Sequence, residues 1–227
     1  MSDQNILKEK AAEVHRRLVE FYGERVNSDP SDPIEELVLT ILSQNTNDVN
    51  RDKAYAELIR LFPSWEEVMA ADAADVIEAV RIAGLANQKG PRIQNILRQI
   101  KEERGELALE FLRELDKDDA SAWLTKFKGV GPKTAAIVLQ FALDISAFPV
   151  DTHVNRISGR LGLRPEKMNV EKAHKHLEGL FHPDTYYAAH LNIITLGRQV
   201  CHARKPKCEE CPLKDICLYY QKEKEDK

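Results

Sequence analysis

No stretch of this 227-residue sequence is apolar for long enough to span a bilayer, and no charged segment followed by an apolar one marks a leader peptide. These absences make a soluble, intracellular, cytoplasmic protein the expectation. A positive excess is lacking too. The 33 Lys and Arg against 37 Asp and Glu leave a formal charge of −4, so any nucleic-acid partner has to be argued from local charge. Strict alternation of apolar and polar residues, the mark of a half-buried strand, is missing. Cysteine is scarce, with four in all, and disulfides are not expected inside a cell. A core is affordable nonetheless, since 43% hydrophobic residues suffice for one large domain or two small ones.

What is present is helical spacing. Leu7, Ala11, Val14, Leu18 and Phe21 form one stripe of an N-terminal helix that ends near Gly23. Pro33 opens a second helix, and a third is expected from Asp48 to Leu61. Short helices follow from Trp65 and from Ala73, a longer one after Pro91, and another from Ala120 into a glycine turn. Further helices are expected to begin at Thr152, Val170 and Asp184. All ten prolines are placed at segment boundaries on this reading, and the fold class is all-α.

The densest motif is Phe127-Lys128-Gly129-Val130-Gly131-Pro132-Lys133-Thr134. Two glycines one residue apart supply a tight turn whose backbone N–H groups can converge on an anion. Pro132 fits the first position of a helix expected to run to Leu143, apolar nearly all round and so buried. Lys133 lies in its first turn, a place suited to a lysine that must act as a nucleophile. Taken alone, such turns are most often ordinary connections. Lys126, Lys128 and Lys133 flank the turn with no acid between them, whereas Leu61–Val80 has no Lys or Arg. A weaker copy of the motif, Ile82-Ala83-Gly84-Leu85-Ala86-Asn87-Gln88-Lys89, suggests a second turn with an early lysine gripping backbone phosphate. The polar run Ser43-Gln44-Asn45-Thr46-Asn47-Asp48 reads as a loop with a helix cap. His174, His176, His182 and His190 show no ligand pattern and read as exposed helix residues.

Cys201, Cys208, Cys211 and Cys217 are crowded into one stretch with the spacing C-x6-C-x2-C-x5-C. Zinc sites usually pair two close doublets, and here there is one doublet with a longer spacing on each side. Four thiolates wrapping one compact loop suit a 4Fe–4S cluster better, and Pro212 after Cys211 echoes ferredoxin-like runs. Zinc stays as the alternative. A loop pinned at both ends would present Arg204, Lys205 and Lys207 to phosphate.

Chain length links Lys133 to a carboxylate. A helix from Pro132 to Leu143 is about 18 Å long at ~1.5 Å per residue. The seven residues after it reach about 23 Å when extended. The chain can therefore return Asp151 beside Lys133, with Asp151 also capping the helix that follows.

Lys128 to Ala135, then Phe148-Pro149-Val150-Asp151-Thr152-His153, then the four-cysteine loop, together resemble the endonuclease III family of helix-hairpin-helix DNA glycosylases, over about Pro33 to Cys217. The resemblance implies a six-helix domain (25–145) and an iron–sulfur domain (1–24 with 146–227), holding a 4Fe–4S cluster on the four cysteines. It implies a monomeric bifunctional glycosylase and AP lyase of base excision repair, acting on double-stranded DNA that carries a damaged base, an oxidised pyrimidine by preference, or an abasic site in the nucleoid. Lys133 would attack the sugar and Asp151 would assist. Gln44, Asn45, Leu85, Lys128, Gly129, Gly131, His153, Arg204, Lys205 and Lys207 would contact DNA, with Leu85 as a wedge and Asn45 filling the vacated stack. Lys128 replaces the family's usual proline, and Asn45 is shorter than its usual glutamine, so Gln44 beside it competes for the gap-filling role. The adenine-mismatch branch lacks a lysine at the Lys133 position and carries a further C-terminal domain. The lysine here, and a charged tail (221–227) expected to be disordered soon after the cysteines, favour the strand-cutting branch. A glycosylase for mismatches or other lesions, and a non-catalytic iron–sulfur or zinc DNA-binding module, are the competing readings.

Overall fold

The computed structural model describes residues 3–225. Its α-helices are α1 (Asp3–Tyr22), α2 (Pro33–Ser43), α3 (Asp48–Leu61), α4 (Trp65–Ala70), α5 (Ala73–Ala79), α6 (Ala86–Arg104), α7 (Lys117–Thr125), α8 (Pro132–Ile137), α9 (Thr152–Leu161), α10 (Val170–Glu178), α11 (Tyr186–Gln199) and α12 (Leu218–Glu225). Among the described residues there is no strand, so the all-α expectation holds. Short polar side chains start most of these helices. Asp32, Asn47, Ser64, Asp72, Asp116, Asp151 and Asn169 each accept a bond from an N–H of the first turn that has no partner within the helix.

The chain divides into two units, one of residues 30–145 and one of residues 1–29 with 146–227. In the first, α2 packs against α3 and α8, and α6 packs against α4 and α5. Leu37, Val38, Ile41, Leu42, Ala54, Leu58, Ile93 and Leu97 are buried there. In the second, Ala11, Val14 and Leu18 of α1 join Val154, Ile157 and Leu161 of α9, Ile193 and Leu196 of α11, and Leu213 of the cysteine loop in one core.

Several expectations need correcting. The helix expected after Pro91 begins at Ala86 and keeps Pro91 inside it. Gly84 and Leu85, both at positive φ, turn the chain, and Gln88 and Lys89 N–H then bond to Leu85 O at 2.9 Å, starting the helix early. Not every proline marks a boundary, because one within the second turn forfeits a single backbone bond that other contacts outweigh. The run from Pro132 is not one α-helix to Leu143. Residues Val138–Ala142 form a π-helix, closed by Leu143 N–H on Val138 O at 3.2 Å. Of the tail expected to be disordered, 221–225 continues α12 and 226–227 lie outside the described residues. The histidines are not uniformly exposed. His190 is buried against Pro149 O at 3.0 Å, and His176 meets Leu163 O at 2.9 Å, while His182 is exposed beside Asp184.

Candidate nucleic-acid interface and metal centre

Three turns of the 30–145 unit carry six of the ten expected DNA contacts: Gln44, Asn45, Leu85, Lys128, Gly129 and Gly131. At the hairpin, Phe127 and Val130 are buried and anchor the turn, closed by Val130 N–H on Phe127 O at 3.0 Å, while Lys128 and Gly129 face solvent. Gly129 has φ 90°, which strains any L side chain, and an added Cβ would lie 2.3 Å from Arg92 Nε and displace the guanidinium. Gly131 caps α8, and an added Cβ there meets nothing within 4 Å. Lys133 is half-buried in the first turn of α8. The other two turns each expose one side chain from a left-handed residue, Asn45 at φ 54° and Leu85 at φ 52°. A leucine held in that region is strained, and such strain gathers where function requires a projecting side chain.

Tertiary contacts rearrange the local charge. Lys126 pairs with Glu103 of α6 and lies 4.1 Å above the Trp123 ring, so it is not one of three unopposed cations at the hairpin. Lys89, expected as an early lysine gripping phosphate, is 1% exposed. Its Nζ donates to Leu42 O at 2.7 Å and to Ala83 O at 2.8 Å. Gln44 donates to Gly129 O at 3.1 Å and accepts from Arg92 Nη1 at 2.7 Å. Arg92 escaped the sequence reading. Its only signal was its place three residues after Lys89, on the same face of α6.

The other unit carries Asp151, whose carboxylate accepts from Val154 N–H at 2.7 Å. His153 is half-buried, packed so tightly on Gly197 that an added Cβ would lie 2.3 Å from its Nδ1, and bonded to Arg156 at 3.1 Å. Burial lowers the His153 pKa, against the Asp151 charge, which raises it. Arg156 also donates to Gly197 O and Cys201 O, and ties α9 to the end of α11. Arg204, Lys205 and Lys207 are exposed on the cysteine loop, with Lys207 3.8 Å from Glu210.

All four cysteines line one open-sided pocket, with Arg160, Val200, Tyr219 and Tyr220 in its wall. They surround a space and do not converge on a point. Among the described residues, no three His, Cys, Asp or Glu come close enough to hold a single ion. A set of soft thiolates spaced around a common volume fits a multi-atom iron–sulfur cluster. Arg160 Nη1 reaches Cys201 Sγ at 3.1 Å and His202 O at 2.7 Å, and its guanidinium lies 4.6 Å over Tyr219. Burial pushes the Cys211 thiol up to about 11 and raises Cys208 as well, a cost that binding to a metal reverses.

The hairpin turn before a first-turn lysine and the four-thiol loop define the class of a helix-hairpin-helix protein with a candidate iron–sulfur centre. Residues 38–183 match the HhH-GPD superfamily of base excision DNA repair proteins, and residues 201–217 match the iron–sulfur binding domain of endonuclease III. The chain is 33% identical to endonuclease III of Thermotoga maritima, over 96% of this chain and 94% of that one. It is 34% identical to a putative DNA glycosylase of Arabidopsis thaliana, over 92% and 75% of the two chains. A solved endonuclease III–DNA complex, trapped as a covalent intermediate, superposes with a TM-score of 0.80 at 26% identity, covering 99% of this chain and all of that one. The chain belongs to the endonuclease III family of helix-hairpin-helix DNA glycosylases. It is accordingly a DNA-binding enzyme of base excision repair with a 4Fe–4S cluster.

Proposed function

We propose that the chain is a bifunctional glycosylase and AP lyase that removes oxidised pyrimidines from duplex DNA, working as a monomer on nucleoid DNA in the cytoplasm. One observation carries this reading: a half-buried lysine, Lys133, sits directly behind an exposed glycine turn suited to a backbone phosphate. With the lesion nucleotide extruded from the duplex, Lys133 Nζ bonds to C1′ as the C1′–base bond breaks and the base leaves with its electron pair. Ring opening leaves an iminium between Nζ and C1′. Loss of a C2′ proton then expels the 3′ phosphate, and water releases the lysine. Asp151, positioned by the N–H of Val154, offsets positive charge developing on the sugar and relays protons. Leu85 and Asn45 occupy the strand and the vacated stack, while Lys128, Gly129 and Gly131 hold phosphate. Gln44 braces the hairpin and leaves the gap to Asn45.

Cys201, Cys208, Cys211 and Cys217 would hold the 4Fe–4S cluster, which when bound ties the loop into a fixed shape. Arg204, Lys205 and Lys207 then meet phosphate as a rigid group, and His153 supports them from the base of α9. Borohydride trapping on duplexes with thymine glycol or an abasic site tests the reading. A covalent complex is expected with the native chain and none with Lys133→Gln. A complex that survives that substitution overturns the lysine mechanism. Cleavage across a panel that includes mismatches and oxidised purines separates the pyrimidine preference from the competing lesion classes.

A further inference from the structure

The three DNA-facing turns of the 30–145 unit are cross-linked by polar side chains from one face of α6. Lys89 fixes the carbonyl of Leu42, two residues before Gln44, and that of Ala83, two residues before Leu85. Three residues on, Arg92 lays its guanidinium against the bare Cα of Gly129 and donates to Gln44 Oε1, whose Nε2 in turn donates to Gly129 O. The Gln44 amide thus spans α6 and the hairpin, with one end on each. A planar guanidinium fits flat on a glycine, and a lysine ammonium cannot reproduce that contact.

We propose that Gln44 and Arg92 are positioning residues that hold the hairpin turn in its DNA-binding geometry. They act through Gly129 and do not themselves contact phosphate. The proposal rests on the hairpin being the phosphate-holding turn. On this proposal Gln44, though next to Asn45, serves the hairpin and not the stack, with each polar end of its amide bonded.

The test measures affinity for a duplex with a tetrahydrofuran abasic analogue at several salt concentrations, together with the single-turnover cleavage rate of an abasic duplex at saturating protein. Gln44→Ala and Arg92→Ala are each expected to weaken binding about tenfold, as a lost hydrogen bond to a charged group does. The double variant should be no weaker than either single one, because the two residues act as a unit. Arg92→Lys should fail to rescue. The saturated cleavage rate should stay within about twofold, and the dependence of log Kd on log salt should keep its slope. A slope lower by about 0.9 in Arg92→Ala would mean a direct phosphate contact, and additive losses would mean independent roles. Either result overturns the proposal, as does unchanged binding in both variants. Gly131→Asp separates the two levels of the argument, since its side chain enters open space and places a carboxylate at the turn. If Gly131→Asp weakens binding while Gln44→Ala and Arg92→Ala do not, the brace alone fails. If Gly131→Asp binds normally, the hairpin reading fails and the brace falls with it.

Discussion

Lys89→Met probes how the interior of the hairpin-bearing unit is held. Lys89 is 1% exposed, and its Nζ satisfies the carbonyls of Leu42 and Ala83. Methionine preserves the length and the apolar stem but has no donor, so both carbonyls lose their partner. Stranding one buried acceptor costs ~1–3 kcal/mol, and the relief of removing a buried ammonium offsets part of the total. The net loss is about 2–4 kcal/mol, which for a chain of this size lowers Tm by roughly 5–15 °C. The pH dependence fixes the sign. Burial first, and the Arg92 charge second, depress the folded-state pKa of Lys89. Its contribution to stability is therefore fully present above the unfolded value of ~10.4 and is lost as pH falls through the folded value. The two acceptors, Leu42 O and Ala83 O, suit the two N–H groups of a neutral amine. The methionine variant lacks this contribution, so its deficit should widen between pH 7 and pH 10. Thermal denaturation of both proteins by circular dichroism across that range is the assay. A variant as stable as the native chain, or a deficit that shrinks with rising pH, refutes the reasoning.

Other outcomes follow from the same geometry. Asp151→Asn keeps the cap of α9, since asparagine caps about as well as aspartate, so Tm should move by less than about 2 °C. Cleavage should nonetheless fall by roughly a hundredfold or more if the carboxylate stabilises charge on the sugar, which single-turnover kinetics would show. Glu36, bonded by the hydroxyls of Ser31 at 2.8 Å and Thr40 at 3.3 Å, has its pKa raised by burial. Its stabilising contribution is present below the unfolded value and lost as pH rises through the folded one, so Glu36→Gln should raise Tm at pH 7. That gain should vanish below about pH 4, where glutamate is already protonated. Cys211→Ser should abolish the visible absorption of the cluster and its bound iron. It should also lower Tm, because Leu213 ties the loop into the core of its unit. A colourless native preparation with one zinc per chain would contradict the cluster.

The Asp48–Leu61 helix, the cap role of Asp151 and the thiol loop were legible in the chain, because each depends on contacts between near neighbours. A cap is set by a side chain and the N–H three residues on, and a cysteine spacing limits what one loop can wrap. The same locality let the glycine turn announce the family. Long-range contacts decided the rest. Spacing cannot show that Glu103, 23 residues away, neutralises Lys126, or that Lys89 turns inward to carbonyls from two other segments. Pro91 signalled a helix start, yet bonds to Leu85 began the helix earlier. In sequence, Asn45 holds the gap-filling position by resemblance and Gln44 beside it competes for the role. Spacing does not show that the amide of Gln44 bonds to Gly129 and Arg92 while Asn45 is left-handed and exposed. The sequence by itself determined an all-α chain with a glycine turn, a first-turn lysine and a thiol loop, since short-range spacing suffices for these. Only the tertiary structure decided which cations stay at the surface and which polar groups are spent on mounting the site, because a charge is neutralised or buried by whatever the fold brings next to it.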